Sequence, residues 1–347
     1  MPRVNGVSRT LFARTAGAGC KGPALVVAAG LALAAGLQPV EGTAAAPDYP
    51  SRPIRMVVPF SPGGTSDTLA RILGQKLSEA WGQPVVVDAR PGASGIIGTE
   101  IAMRAPADGH TLMHGNMSQF AINPALHAKL PYDTQRDFAP VSLVAMAPQL
   151  VVVPPSLPVA SVRELVDHAR ARREGPLFGS GGSGTLAYVG GEMFNALAGT
   201  RMVHVPYKGT VLALNDLVAG QVQVLFSDMP IALAQVRAGK LRALAVTSAQ
   251  RTSLVPGVPT VAESGLPGYS LVNWWGILAP RGLPPAVLAR LHAALVRIHE
   301  LPEVRERYAG LGVDAASSPS PAAFADFIAQ EAARYGPILR KAGAKAD

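Results

Sequence analysis

Twice in this chain an apolar strand runs into a glycine- and hydroxyl-rich loop that opens an amphipathic helix. In the first instance Ile54–Phe60 (IRMVVPF) leads into Ser61-Pro62-Gly63-Gly64-Thr65-Ser66-Asp67. Leu69, Ile72, Leu73, Leu77 and Ala80 then form one apolar stripe at helical spacing. In the second, Leu177-Phe178 precedes Gly179-Ser180-Gly181-Gly182-Ser183-Gly184, and Leu186, Val189, Met193, Phe194 and Leu197 repeat the stripe. Aligning Phe60 with Phe178 sets Gly63-Gly64-Thr65 opposite Gly181-Gly182-Ser183. An unbroken apolar strand is one covered on both faces, as in a parallel sheet flanked by helices. Further strands are predicted at Pro84–Val87, Thr111–His114, Met202–Val205, Gln221–Phe226 and Leu241–Val246. Helices are predicted over Ala93–Arg104, Leu212–Val218 and Ile231–Ala238. The alternation predicts an α/β protein made of two similar halves.

The loops carry a chemistry of their own. A helix N-terminus leaves backbone N–H groups unpaired and carries about half a positive charge. Glycines let a ligand approach that backbone closely. The hydroxyls of Ser61, Thr65, Ser66, Ser180, Ser183 and Thr185 add donors. Two such ends, one per half, would hold a small anion from opposite sides without Arg or Lys. Turn geometry alone also selects Gly and Ser in such places. Asp67, early in its helix, suits either a ligand contact or compensation of the helix dipole. Lys208, in Tyr207-Lys208-Gly209, suits either a carboxylate partner or a solvated surface. Trp274-Trp275 suits a pocket wall or a domain junction equally.

Other patterns carry less. Gly179, Gly181 and Gly184 satisfy G-x-G-x-x-G, but the stretch from Gly199 to His204 lacks the acid that a dinucleotide ribose requires. His110 and His114 are four apart, a metal-binding offset on a helix, whereas four residues of strand span about 13 Å. No G-x-S-x-G elbow is present. No metal ligand set, catalytic residue or cofactor is expected.

Residues 1–45 read as an export leader. Arg3, Arg9, Arg14 and Lys21 precede the 14-residue apolar run Ala24–Leu37, short of the ~20 residues that span a bilayer. Thr43 and Ala45 supply small residues for cleavage before Ala46. The whole chain has 31 Lys+Arg and 23 Asp+Glu. Without the leader's four basic residues and its single acid, Glu41, 27 face 22, a net charge of +5. That modest surplus, with 5% aromatics, does not suit a nucleic-acid surface. The single cysteine, Cys20, lies in the leader, so the exported protein has no disulfide, thiolate metal site or cysteine nucleophile.

The run YPSRPIRMVVPFSPGGTSDTLARILGQKLSEAWGQPVVVDARPGASGIIGTEIAMRAPADGHTL (Tyr49–Leu112) resembles the opening of the substrate-binding proteins of tripartite tricarboxylate transporters, also called Bug receptors. The resemblance continues through LPYDTQRDFAPVSLVA, GSGGSGTLAYVGGEMF, HVPYKGT, DLVAGQVQVLF, GKLRALAVTSAQR, VPTVAESGLPGY and WWGILAPRGLP, nearly the whole exported chain. It implies a type II periplasmic-binding-protein fold, two doubly wound α/β lobes around a ligand cleft. Residues 46–147 plus 271–347 would form the first lobe and 148–270 the second, crossing at Val151–Val153 and after Gly268. Helices Pro284–His299 and Ala322–Lys341 would cover the first lobe. The ligand site maps onto Phe60, Ser61, Gly63, Gly64, Thr65, Ser66 and Asp67, and onto Ser180, Gly181, Ser183, Gly184 and Thr185. Tyr207 and Asp228 complete the candidate set; Ser227-Asp228-Met229 departs from the family's usual acidic-Ser order. The implied function is a monomeric periplasmic receptor that delivers a di- or tricarboxylate, acidic amino acid or aromatic acid to membrane permease subunits. A ligand-sensing adaptor for a sensor kinase and an exported hydrolase are the competing readings.

Overall fold

The computed structural model describes residues 49–341; the expected leader and its cleavage site lie outside them. In chain order the elements are β1 (Ile54–Val58), α1 (Thr65–Trp81), β2 (Val85–Ala89), α2 (Ile96–Met103), β3 (Thr111–Asn116), α3 (Asn123–Leu126) and α4 (Thr134–Asp137). The 16-residue β4 (Phe138–Val153) follows, then α5 (Val162–Arg170), β5 (Leu177–Ser180), α6 (Leu186–Ala198), β6 (Val203–Pro206) and α7 (Thr210–Val218). The chain continues through β7 (Val224–Asp228), α8 (Met229–Arg237), β8 (Arg242–Val246), β9 (Val272–Pro280), α9 (Pro285–Glu300), α10 (Pro302–Leu311), β10 (Asp314–Ala315) and α11 (Pro321–Lys341).

Two mixed sheets share β4. In the first, β1 lies parallel between β2 and β3, while β9 and β4 run antiparallel beyond β3. In the second, β5 lies parallel between β6 and β7, and β4 pairs antiparallel with β7 and β8. The parallel halves match the two units read in the sequence; the antiparallel strands are the connections between lobes. Along β4 the partner changes between Pro148, opposite Val272, and Gln149, opposite Asp228. Thr247 ties the crossing together. Its hydroxyl accepts from Gln149 N–H at 2.7 Å and donates to Leu271 C=O at 2.8 Å, and its own N–H reaches Gln149 C=O at 2.9 Å.

Side chains alternate across a strand, and that separates the tryptophan pair. Trp274 packs with Phe120, Phe138 and Phe324 under α11. Trp275 faces the other way, among Leu69, Leu73 and Leu291 of α1 and α9. Both are fully buried within the first lobe, so neither is a pocket wall. Helices α5 and α10, unread in the sequence, have few apolar residues and short lengths; α5 is capped by Ser161, whose Oγ accepts from Glu164 N–H at 3.2 Å. Among the described residues no helix is long and apolar enough to cross a membrane.

Candidate functional site

A small inner cavity lies between the lobes. Helix starts supply much of its wall. Gly64, Thr65 and Ser66 come from the head of α1, and Thr185, Leu186 and Ala187 from the head of α6. Thr210 and Val211 open α7, and Asp228 precedes α8. The first N–H groups of these helices have no intrahelical partners and concentrate partial positive charge at the cavity. Among the described residues no Lys or Arg lines it.

The head of α1 is fixed from behind. Trp275 Nε1–H donates to Ser66 Oγ at 3.0 Å, and Asp67 turns away from the cavity. Its carboxylate accepts from Gly63 N–H at 3.0 Å and takes a two-pronged contact from Arg71 at 2.9 and 3.0 Å. Asp67 thus anchors the first turn, the dipole-compensating role the sequence left open.

At the hinge end of the cavity sits Asp228. As the residue before α8 it could cap that helix, yet its side chain makes no such bond. Instead Oδ1 accepts from Gln149 Nε2–H at 3.2 Å and from Asn273 Nδ2–H at 2.9 Å. Burial pushes its carboxyl pKa above the usual range, and the Asn273 and Gln149 amides with the Thr65 hydroxyl offset part of that rise.

A second chamber, of about 220 Å3, forms the mouth, where loops of both lobes meet. Ser61 Oγ–H donates to Lys208 C=O at 3.0 Å, and Gly184 N–H donates to Ser94 Oγ at 3.0 Å. Ala93 and Ser94 have φ of 45° and 52°, uncommon for residues with a Cβ. Ser94 is held there by its carbonyl, which accepts from Asn123 Nδ2–H at 3.2 Å. Gly182, at φ 120°, would place a Cβ 2.7 Å from Ser94 Oγ, so the close approach of the loops requires glycine. Tyr207 donates its hydroxyl to Asp216 at 2.7 Å, and burial followed by that carboxylate pushes the phenol pKa up to about 12.

The structure therefore divides the sequence-predicted site residues among three places. Phe60, Ser61, Gly64, Thr65, Ser66, Thr185 and Asp228 line the inner cavity. Gly181, Ser183, Gly184 and Tyr207 line the mouth, along with Phe60 and Ser61. Gly63, Asp67 and Ser180 line neither; Ser180 Oγ is buried against His204 Nε2 at 2.6 Å. The two loops are also not equivalent as aligned. The first presents its glycine and hydroxyls to the inner cavity, whereas the second turns its glycines to the mouth and presents Thr185 and the first turn of α6. Sequence reading missed Asn116, Ser118, Gln149 and Asn273 in the inner wall and residues 91–95 at the mouth. Isolated amides within otherwise apolar strands, Gln149 and Asn273, were the available signal.

Such a cleft, between two α/β lobes joined by crossing strands and walled by helix N-termini, defines a solute-binding receptor. The family described as tripartite tricarboxylate transporter family receptor matches residues 69–344, and the chain belongs to it. It is 39% identical to a UPF0065 protein from the tcbD-tcbE intergenic region of Pseudomonas sp. strain P51, over 84% of this chain and 86% of that one. It is 36% identical to protein BugT of Bordetella pertussis, covering 86% and 91% of the two chains. Among solved structures it resembles R. palustris Rpa4515 with adipate, at TM-score 0.84 and 34% identity, over 86% of this chain and all of that one. MatC from Rhodopseudomonas palustris with bound malate gives TM-score 0.80 and 32% identity, over 84% of this chain and all of that one. Periplasmic binding protein BugD gives 0.81 and 31%, over 86% and 100%. The family is one of periplasmic solute-binding receptors, not of enzymes, which removes the hydrolase reading.

Proposed function

We propose that this chain is an exported receptor that closes around a small carboxylate in the interlobe cleft and delivers it to the permease subunits of a tripartite tricarboxylate transporter. The observation that carries this reading is that the heads of α1, α6 and α7 converge on one buried cavity from which Lys and Arg are absent. Oriented amides in a small, water-poor space suit an oxyanion, and salt screens them far less than exposed ion pairs. The adipate and malate bound by two relatives support a carboxylate as the ligand class. In this reading Gly64, Thr65, Ser66 and Thr185 surround the carboxylate, while Ser61, Gly181, Ser183, Gly184 and Tyr207 form the closing mouth. The lobes are 46–147 with 271–347, and 148–270; the change of β4 partner at Gln149 and the pairing of Thr247 with Leu271 support these limits. The receptor acts in the periplasm as a monomer, after loss of residues 1–45.

The test is mass spectrometry of the small molecule released when the purified protein is denatured, followed by calorimetry with that molecule. Binding of uncharged sugars with no response to C4–C6 carboxylates would end this reading.

A further inference from the structure

The hinge end of the inner cavity has a polarity opposite to the rest of it. Asp228 brings a carboxylate into a space onto which the N-termini of α1, α6 and α7 open. Its Oδ1 is occupied by Gln149 and Asn273, two neutral amides, and among the described residues no cation lines the cavity. Beside it are two further acceptors. Gln149 Oε1 is buried in a side chain only 2% exposed and has no hydrogen-bond partner, and the Thr65 hydroxyl, 3% exposed, bonds to the Asp228 carboxyl while its own lone pairs stay available to a donor. Asn273 Oδ1 is already taken by Trp274 N–H at 3.0 Å, so it adds nothing to this unfilled set. Buried acceptors without donors are costly, and a buried carboxylate without a cation more so. Ser or Asn before α8 would cap the helix equally well, so capping does not explain an acid whose side chain makes no cap bond.

We infer that Asp228 is a specificity-determining residue and that the ligand carries an ammonium group which it seats against Asp228, Gln149 Oε1 and Thr65 Oγ1. This rests on the reading of the cleft as a carboxylate site and narrows it to amino acids. An ammonium has three N–H donors and no acceptor, and the Asp228 carboxylate, Gln149 Oε1 and the Thr65 hydroxyl all offer it lone pairs at this corner. It also supplies the charge that an ionised Asp228 lacks in the closed cleft. A ligand that is only a dicarboxylate would instead bring a second anion toward Asp228, and like charges at close range disfavour one another. The ligand's carboxylate then occupies the helix heads and its ammonium the hinge corner.

The experiment is calorimetric titration of the full exported protein with matched pairs that differ by the ammonium alone: succinate and aspartate, glutarate and glutamate, valerate and norvaline, 3-phenylpropionate and phenylalanine. The expected result is that, in at least one pair, the amino member binds ten times or more tightly than its partner. In Asp228→Asn, which keeps an oxygen for Gln149 and Asn273, that preference should fall below about threefold. Equal or tighter binding of the simple carboxylates in the wild type overturns the assignment and leaves the carboxylate reading standing. A preference that survives Asp228→Asn overturns it too. Failure of every member of every pair to bind overturns both.

Discussion

Gly184 is the residue where closure of the cleft is most easily blocked. A methyl group there would stand 2.0 Å from Asn123 Oδ1 and 2.8 Å from Ser94 Cβ, both on the opposite lobe. Asn123 has little room to retreat, because it is fully buried and its Nδ2 reaches Ser94 C=O and Tyr132 Oη. The overlap in Gly184→Ala is relieved by opening the lobes, not by unfolding. Closure then loses the Gly184–Ser94 hydrogen bond, about 0.5–1.5 kcal/mol, and meets a steric cost of about 1–3 kcal/mol. A combined penalty of about 2 kcal/mol or more on the closed state lowers apparent affinity at least about thirtyfold. Calorimetry with the natural ligand should show that loss, with a ligand-free melting temperature within about 2 °C of wild type because the clash is absent from the open form. Ser94→Ala, which removes the hydrogen bond alone, should cost about 1 kcal/mol, close to fivefold. Wild-type affinity in Gly184→Ala, or a large fall in ligand-free melting temperature, would refute the argument that these loops meet only on closure.

Three other outcomes follow from the same geometry. Gly181→Val should impair binding strongly, since its Cβ would meet Thr210 N at 3.0 Å, whereas exposed Lys208→Met should change affinity little; the reverse order in titration would replace the helix-head mechanism with an ion pair. Burial lowers the pKa of both His114 and His299 from 6.5 to about 4, so folding is favoured above pH 6.5 and loses up to about 3 kcal/mol per histidine as pH falls to 4; melting temperatures that stay flat over that window would exclude it. Intact mass of the protein recovered from the periplasm should correspond to a chain beginning at Ala46, and retention of residues 1–45 would contradict the leader reading.

The parts of this fold that were legible in the sequence are those where one local rule dominates. The strands at 54–58 and 177–180 announced themselves as apolar runs, and the loops after them by Gly and Ser. The mouth loop did not, because Ala93 and Ser94 adopt a left-handed backbone that neither residue type signals; the segment reads as the start of a helix, and only α2 from Ile96 obeys that reading. The shift between the two loops was equally hidden. Both are rich in Gly and hydroxyls, but Gly181–Gly184 contact Ser94 and Thr210, which lie 87–90 and 26–29 residues away in sequence and are joined to them only by the tertiary fold. Asp228 was legible as a departure from the family's pattern, yet its partners Gln149 and Asn273 lie on two different crossing strands and come together only at the hinge.

That position at the hinge has a temporal consequence. In a rotation about Thr247 and Gln149, atoms near the axis travel least and those at the mouth travel furthest. In such a rotation the Asp228–Gln149–Asn273 corner would be nearly in its final arrangement while the lobes were still apart, whereas the bridges from Ser61 and Ser94 would form only at the end of the swing. A ligand would then engage the axle first and be enclosed last. Changes at the corner would accordingly decide which molecules are admitted to the closing movement, and changes at the mouth would decide how long they stay, so that selectivity and residence time are set by residues at opposite ends of one lever.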